Sequence, residues 1–222
     1  MDPFVVRDCA LAAIATGVTA ETLRELRLTV RTIHPGSIYY HFWGGLLRPR
    51  FDDPEYHNDF AIWARTDLGD RVLAERLGGI DPTDYENEEG LRQELIDIIE
   101  ARLDELETVP SSRPDSQFQF IRSQIVVFDT NLRINQPEEL AAIVPGLSAS
   151  SIFYHFIDAR RREPMGADDF QKWLWGWGDD YQRLVARLAN VDPYFSSLIE
   201  LREQLTELLK EYFEARNGDN NA

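Results

Sequence analysis

Two histidines stand in matching surroundings: Ser37, Ile38, Tyr39, Tyr40, His41 and Phe42 in one place, Ser151, Ile152, Phe153, Tyr154, His155 and Phe156 in the other. On a helix, Ile38, His41, Phe42 and Gly45 fall at i, i+3, i+4 and i+7, and Ile152, His155, Phe156 and Ala159 repeat that geometry, so both imidazoles lie on an apolar stripe. One chemistry for such a residue is a core histidine whose ring nitrogens bond a carbonyl or carboxylate. The other is a shared site in which both imidazoles hold a metal ion or an anionic ligand, or act as a proton switch.

The neighbours widen the choice. Tyr40, Trp63, Tyr154 and Trp173 are flat aromatics beside carboxylates, an arrangement that stacks on sugar rings or anchors a protein interface. Equally, Trp63 and Trp173 fit as core residues of equivalent helices. The run Trp173, Trp175, Trp177 exceeds what one packed helix face requires, which points to a contact patch. Arg48 and Arg50, and Arg160, Arg161 and Arg162, either complement a helix dipole or build a small anion site. The candidate ligand-binding set is therefore Tyr40, His41, Tyr154, His155, Trp63, Trp173, Arg48 and Arg160.

Asp52, Asp53, Glu55, His57 and Asp59 crowd one acidic loop, and His57 with Asp59 are its weak metal candidates. The spacing matches neither an EF-hand loop nor His-Glu-x-x-His, and Asp59 and Asp169 also suit N-caps of the Trp-bearing helices. No lysine follows a glycine as in a P-loop, the stretch from Trp175 to Tyr181 lacks the third glycine of a dinucleotide fingerprint, and no serine sits in Gly-x-Ser-x-Gly. No residue is assigned a catalytic role, no cofactor is identified, and the enzyme reading is the weaker one.

These residues are positioned by a unit that the chain carries twice. Ser37 answers to Ser151 at an offset of 114, Asp59 to Asp169 at 110, Asp81 to Asp192 at 111 and Leu91 to Leu201 at 110. A period near 110 residues is a small domain, not a solenoid repeat. The predicted architecture is mainly α (α+β, with a short strand heading each unit), as two tandem homologous units packed about a pseudo-two-fold axis. The boundaries read as 1–107 for the first unit, 108–117 for a Pro/Ser-rich linker, 118–216 for the second unit and 217–222 for a frayed tail. The stretch 118–128 reads as a strand; 4–11 is ambiguous and runs into an Ala-rich, helix-compatible segment. A helix is predicted from about Ala20 to Ile33 behind Thr19, stopped by Pro35 and Gly36, and Ser37 and Ser151 read as N-caps of the Tyr–His elements. The closing helices carry Leu91, Leu95, Ile98, Ile99 and Leu103, and Leu198, Leu201, Leu205, Leu208 and Leu209, at helical spacing.

Composition narrows the partners. The 222 residues hold 39 acidic and 23 basic side chains, a net charge of −16, which repels nucleic acid and anionic membranes. Cys9 is the single cysteine, so no intrachain disulfide forms. Without a basic, apolar leader or a long apolar run, the expectation is a soluble, cytoplasmic chain.

Ile14 to Gly17 (Ile-Ala-Thr-Gly), the leucine-rich helix, Pro35 to His41 and Asn58-Asp59-Phe60 with Trp63 together resemble a prokaryotic family that carries only a domain-of-unknown-function label. The resemblance covers the whole chain with the same two-copy plan. It implies no established activity, and an association with carbohydrate metabolism that keeps the sugar reading in view. The second copy lacks Ile-Ala-Thr-Gly and has Asp168 in place of Asn58, so a function tied to those residues would sit in the first. The leading expectation is a non-enzymatic soluble binding or accessory module, with a protein partner or self-association. The alternatives are a sensor or carbohydrate-related enzyme for a sugar or small anion, and a homo-oligomeric structural protein.

Overall fold

Strands β1 (Phe4–Ala20) and β2 (Phe118–Ile134), 17 residues each, pair antiparallel as a two-stranded sheet in a mainly helical chain. They come from a computed structural model that describes residues 1–48, 55–162 and 166–219. Neither strand is short. The Ala-rich stretch from Ala10 to Ala15, compatible with a helix by propensity, is strand throughout, because tertiary pairing overrides a weak local preference. Both strands turn at the same kind of place. Thr16 Oγ1 donates to the Phe120 carbonyl at 2.6 Å and Thr130 Oγ1 to the Val6 carbonyl at 2.6 Å. The residues that follow, Gly17 (φ 74°) and Asn131 (φ 61°), both adopt the left-handed backbone that glycine and asparagine tolerate best.

The chain divides into two compact units whose membership does not follow the boundaries 1–107, 108–117 and 118–216. One is Leu11–Ile125; the other joins Met1–Ala10 to Val126–Ala222. Each unit thus takes part of both strands. The stretch read as a linker lies inside Leu11–Ile125, where Ser112 N–H donates to the Glu21 carbonyl at 2.8 Å and Thr22 bridges Ser111.

Within Leu11–Ile125 the helices are α1 (Leu23–Val30), α2 (Pro35–Trp43), α3 (Asp59–Thr66), α4 (Arg71–Gly78) and α5 (Glu88–Glu105). Thr22, not Thr19, caps α1 by accepting from Glu25 N–H at 3.2 Å. Pro35 and Gly36 open α2 instead of stopping α1, since a proline in the first turn gives up only an N–H that has no partner there. Asn58 caps α3, leaving Asp59 in the first turn. Leu26, Ile38, Phe42, Phe60, Leu73 and Leu95 meet in the fully buried core. Arg92 of α5 is buried and donates to the Val30 and Ile33 carbonyls, closing the end of α1.

The other unit contains α6 (Leu140–Ile143), α7 (Ala149–Ile152), a π-helical turn at Phe153–Ile157, α8 (Asp169–Trp175), α9 (Gln182–Ala189) and α10 (Leu198–Asp219). Ser148, three residues ahead of Ser151, caps α7, and Asp168 caps α8. Of the predicted stripes, Leu91, Leu95 and Ile99 are buried on α5 and Leu198, Leu201, Leu205 and Leu209 on α10, whereas Ile98, Leu103 and Leu208 are half-buried and Ile96 is buried in addition. Helix α10 extends into the stretch read as a frayed tail, to Asp219. Arg50, Asp52, Asp53 and Glu163 lie outside the described residues.

Candidate functional site

A strand at the edge of a sheet presents N–H and C=O groups that need partners. In Leu11–Ile125 the partners come from one face of α2. Ser37 Oγ donates to the Ile121 carbonyl at 2.8 Å, and Ile121 N–H donates to His41 Nε2 at 3.1 Å. Ser37 and His41 are four residues apart and so lie one above the other on the helix. Together they satisfy both backbone groups of one strand residue.

The other unit does the same with Arg7. Ser151 Oγ donates to its carbonyl at 2.8 Å, and its N–H donates to His155 Nε2 at 2.8 Å. The Trp helices fasten the strand's start: Trp63 Nε1–H donates to the Ser116 carbonyl at 2.8 Å, and Trp173 Nε1–H to the Asp2 carbonyl at 3.0 Å. Phe118 stacks on Phe60 (4.9 Å between centroids) and Phe4 on Phe170 (5.2 Å).

Because Nε2 of each histidine accepts from an amide, the ring proton must sit on Nδ1. His41 Nδ1–H donates to Asp59 at 2.9 Å, and His155 Nδ1–H to Asp169 at 2.7 Å. Burial pushes the His41 pKa below its ordinary value, against the opposing pull of Asp59. A His–Asp pair has the outline of a catalytic dyad, but the nitrogen that would face a substrate is already bonded to the strand. Each aspartate is steadied from outside by an arginine. Arg48 reaches Asp59 at 3.4 Å and lies 4.9 Å over the Tyr40 ring; Arg162 reaches Asp169 at 3.0 Å and lies 4.1 Å over Tyr154.

Seven of the eight candidate ligand-binding residues therefore belong to two copies of one constellation: Tyr40, His41, Trp63 and Arg48, and Tyr154, His155 and Trp173. The eighth does not. Arg160 donates to the Phe156 and Val191 carbonyls and lies 4.6 Å over the Phe156 ring. The arginine in the place of Arg48 is Arg162, at the same offset of 114 that relates His41 to His155. That shared offset was the available signal. Ser37, Ser151 and Asp169 also belong to the constellation, although sequence reasoning took them for caps.

Asp59 serves His41 and Arg48, His57 is half-buried, and among the described residues no three His, Cys, Asp or Glu side chains converge as a metal group. Of the tryptophan run, Trp173 is buried, Trp175 is 49% exposed, and Trp177 packs edge-on to Trp173 and Tyr181.

The model of a family of unknown function, DUF5752, matches residues 1–210. The chain belongs to this family. The DUF5752 chain is also similar to a solved structure, that of OrfY from Thermoproteus tenax, at 26% identity over 94% of each chain, with a TM-score of 0.80. No curated protein matches it. No helix among the described residues of this DUF5752 protein is long and apolar enough to cross a membrane.

Proposed function

We propose that this chain is a non-enzymatic protein-binding module, built by duplication of one unit, with the leading residues of each copy's head strand belonging to the other. The observation that carries the reading is the state of the two histidines. Both ring nitrogens of each are spent on a strand amide and a carboxylate, so neither imidazole has a lone pair to offer a substrate or metal. The Ser–His clasp holds a strand; it does not turn over a ligand. The matched clasps, the matched Thr-Gly and Thr-Asn turns and the offset of 114 support duplication.

The surface for the partner is the exposed stretch of β2 at Val126 (43%), Val127 (40%), Phe128 (50%) and Leu132 (39%). In a chain of net −16, residues 126–132 carry one charge, Asp129, and it is paired with Arg133 at 2.7 Å. That strip is where two copies of so acidic a chain can approach without like-charge repulsion, so the partner it fits first is a second copy. Sedimentation velocity across protein concentration tests this. Self-association that Phe128→Glu abolishes, with the helical signal retained, supports the reading. A monomer at every concentration that retains a small molecule in native mass spectrometry would overturn it in favour of a ligand sensor.

A further inference from the structure

Asp168 is fully buried at the N-terminus of α8, and its two carboxyl oxygens have unlike surroundings. Oδ1 accepts from Gln171 N–H at 2.9 Å, while Gln171 returns its side-chain oxygen to Asp168 N–H at 3.1 Å. Oδ2 is buried with no hydrogen-bond partner. A buried carboxylate oxygen without a donor is among the costliest polar groups in a protein.

The residue in the same capping place on α3 shows what the position wants. Asn58 is also fully buried, and its Oδ1 accepts from Ala61 N–H at 2.8 Å. Its other arm is a donor: Nδ2 gives a hydrogen bond to the Leu77 carbonyl at 2.9 Å. At Asn58 the position uses one acceptor and one donor. A carboxylate supplies two acceptors; a carboxylic acid supplies one of each.

We infer that Asp168 is held in the folded protein as a neutral carboxylic acid, so that the seating of α8 is linked to a proton. Burial is the main cause that raises the Asp168 pKa from 3.8 to about 7. The amides of Gln171 and Phe170 and the Arg160 guanidinium oppose the rise, and Asp169 reinforces it. Arg160 feels the charges of both Asp168 and Asp192, Asp168 the more strongly, while its own burial opposes its charge. Lys172, on the same helix, is turned to the Ala159 and Arg162 carbonyls. Loss of the proton sets a second negative charge next to Asp169, the partner of His155.

The direction of the linkage follows from the two states. The unfolded chain releases this proton near 3.8 and the folded chain near 7. The contribution to stability is therefore whole below 3.8, falls as pH rises, and is gone above about 7.

Asp168→Asn keeps a donor and an acceptor at every pH. Unfolding midpoints of the full chain and of Asp168→Asn, compared from pH 5 to pH 8, test the inference. The unfolding constant of the native chain relative to the variant should rise about 100-fold across that range, tenfold per unit until the folded pKa is passed. A ratio that does not change with pH would overturn the inference, whichever protein is the more stable. A variant that fails to fold leaves a second measurement: the carboxyl carbon of Asp168, followed by NMR in the native chain, should titrate near 7. A midpoint below 5 would refute it.

Discussion

Replacing His41 by alanine tests the clasp most directly. The imidazole accepts the Ile121 amide at 3.1 Å and donates to Asp59 at 2.9 Å from a site 3% exposed. In the variant, Ile121 N–H loses its acceptor in a half-buried place, at a cost of about 1–3 kcal/mol. The void lies among the rings of Phe60, Phe118 and Phe120, whose centroids stand 5.3, 4.7 and 6.0 Å from the imidazole. An incompletely collapsed void of that size adds roughly 2 kcal/mol. Asp59 keeps Arg48 and some solvent, so its loss is small.

The total for His41→Ala is about 3–5 kcal/mol, a large share of the ~5–15 kcal/mol that holds a domain together. Ser37→Ala removes one hydrogen bond and should cost about 1 kcal/mol. Urea unfolding monitored by tryptophan emission measures both, and hydrogen exchange at the Ile121 amide locates the effect. A cost below about 1 kcal/mol for His41→Ala, or unchanged protection of Ile121, would show that α2 does not hold the strand through this residue. The comparison also has a pH signature. The unfolded imidazole takes up a proton near 6.5, whereas burial lowers the folded pKa. Wild-type stability should therefore fall as pH drops below about 6.5, and His41→Ala should lose that component of the slope.

Two other outcomes follow from the same geometry. Gly17→Ala places a Cβ where nothing lies within 4 Å, so its cost is that of a left-handed backbone alone, about 1–2 kcal/mol by chemical denaturation, whereas Asn131→Gly should be close to neutral. Cys9 is buried, donates to the Ser150 carbonyl at 3.3 Å, and has its pKa pushed up to about 12 by burial and by Asp158 and Asp8. A thiol reagent at pH 8 should therefore label it only as fast as the chain opens, and at once in denaturant.

The helices and the paired motif were legible because their information is local. Ile38, His41 and Phe42 share a stripe, Leu91, Leu95 and Ile99 share another, and both stripes are buried as their spacing requires. Caps were read one to three residues away from their true places, at Asn58, Asp168 and Ser148, because aspartate, asparagine and serine crowd each helix start. The strand through Ala10 to Ala15 was not legible, since alanine carries no β preference and only a partner 100 residues away makes it a strand. The clasp was hidden for the same reason. Nothing near His41 in the chain names Ile121, and nothing near His155 names Arg7. Arg162 was passed over because three consecutive arginines offered no local reason to choose among them.

The interleaved membership of the units gives them different histories on the ribosome. Leu11–Ile125 is an unbroken stretch, complete once Ile125 has been made, so it can fold while the remainder is still being synthesised. Residues 1–10 are made before that stretch, yet the histidine, phenylalanine and tryptophan that receive Phe4 are residues 155, 170 and 173. Phe4, Val6 and Cys9, buried in the finished protein, must wait in the open until those residues have been made. This segment is thus made before the residues that receive it, and its docking closes contacts of long sequence separation.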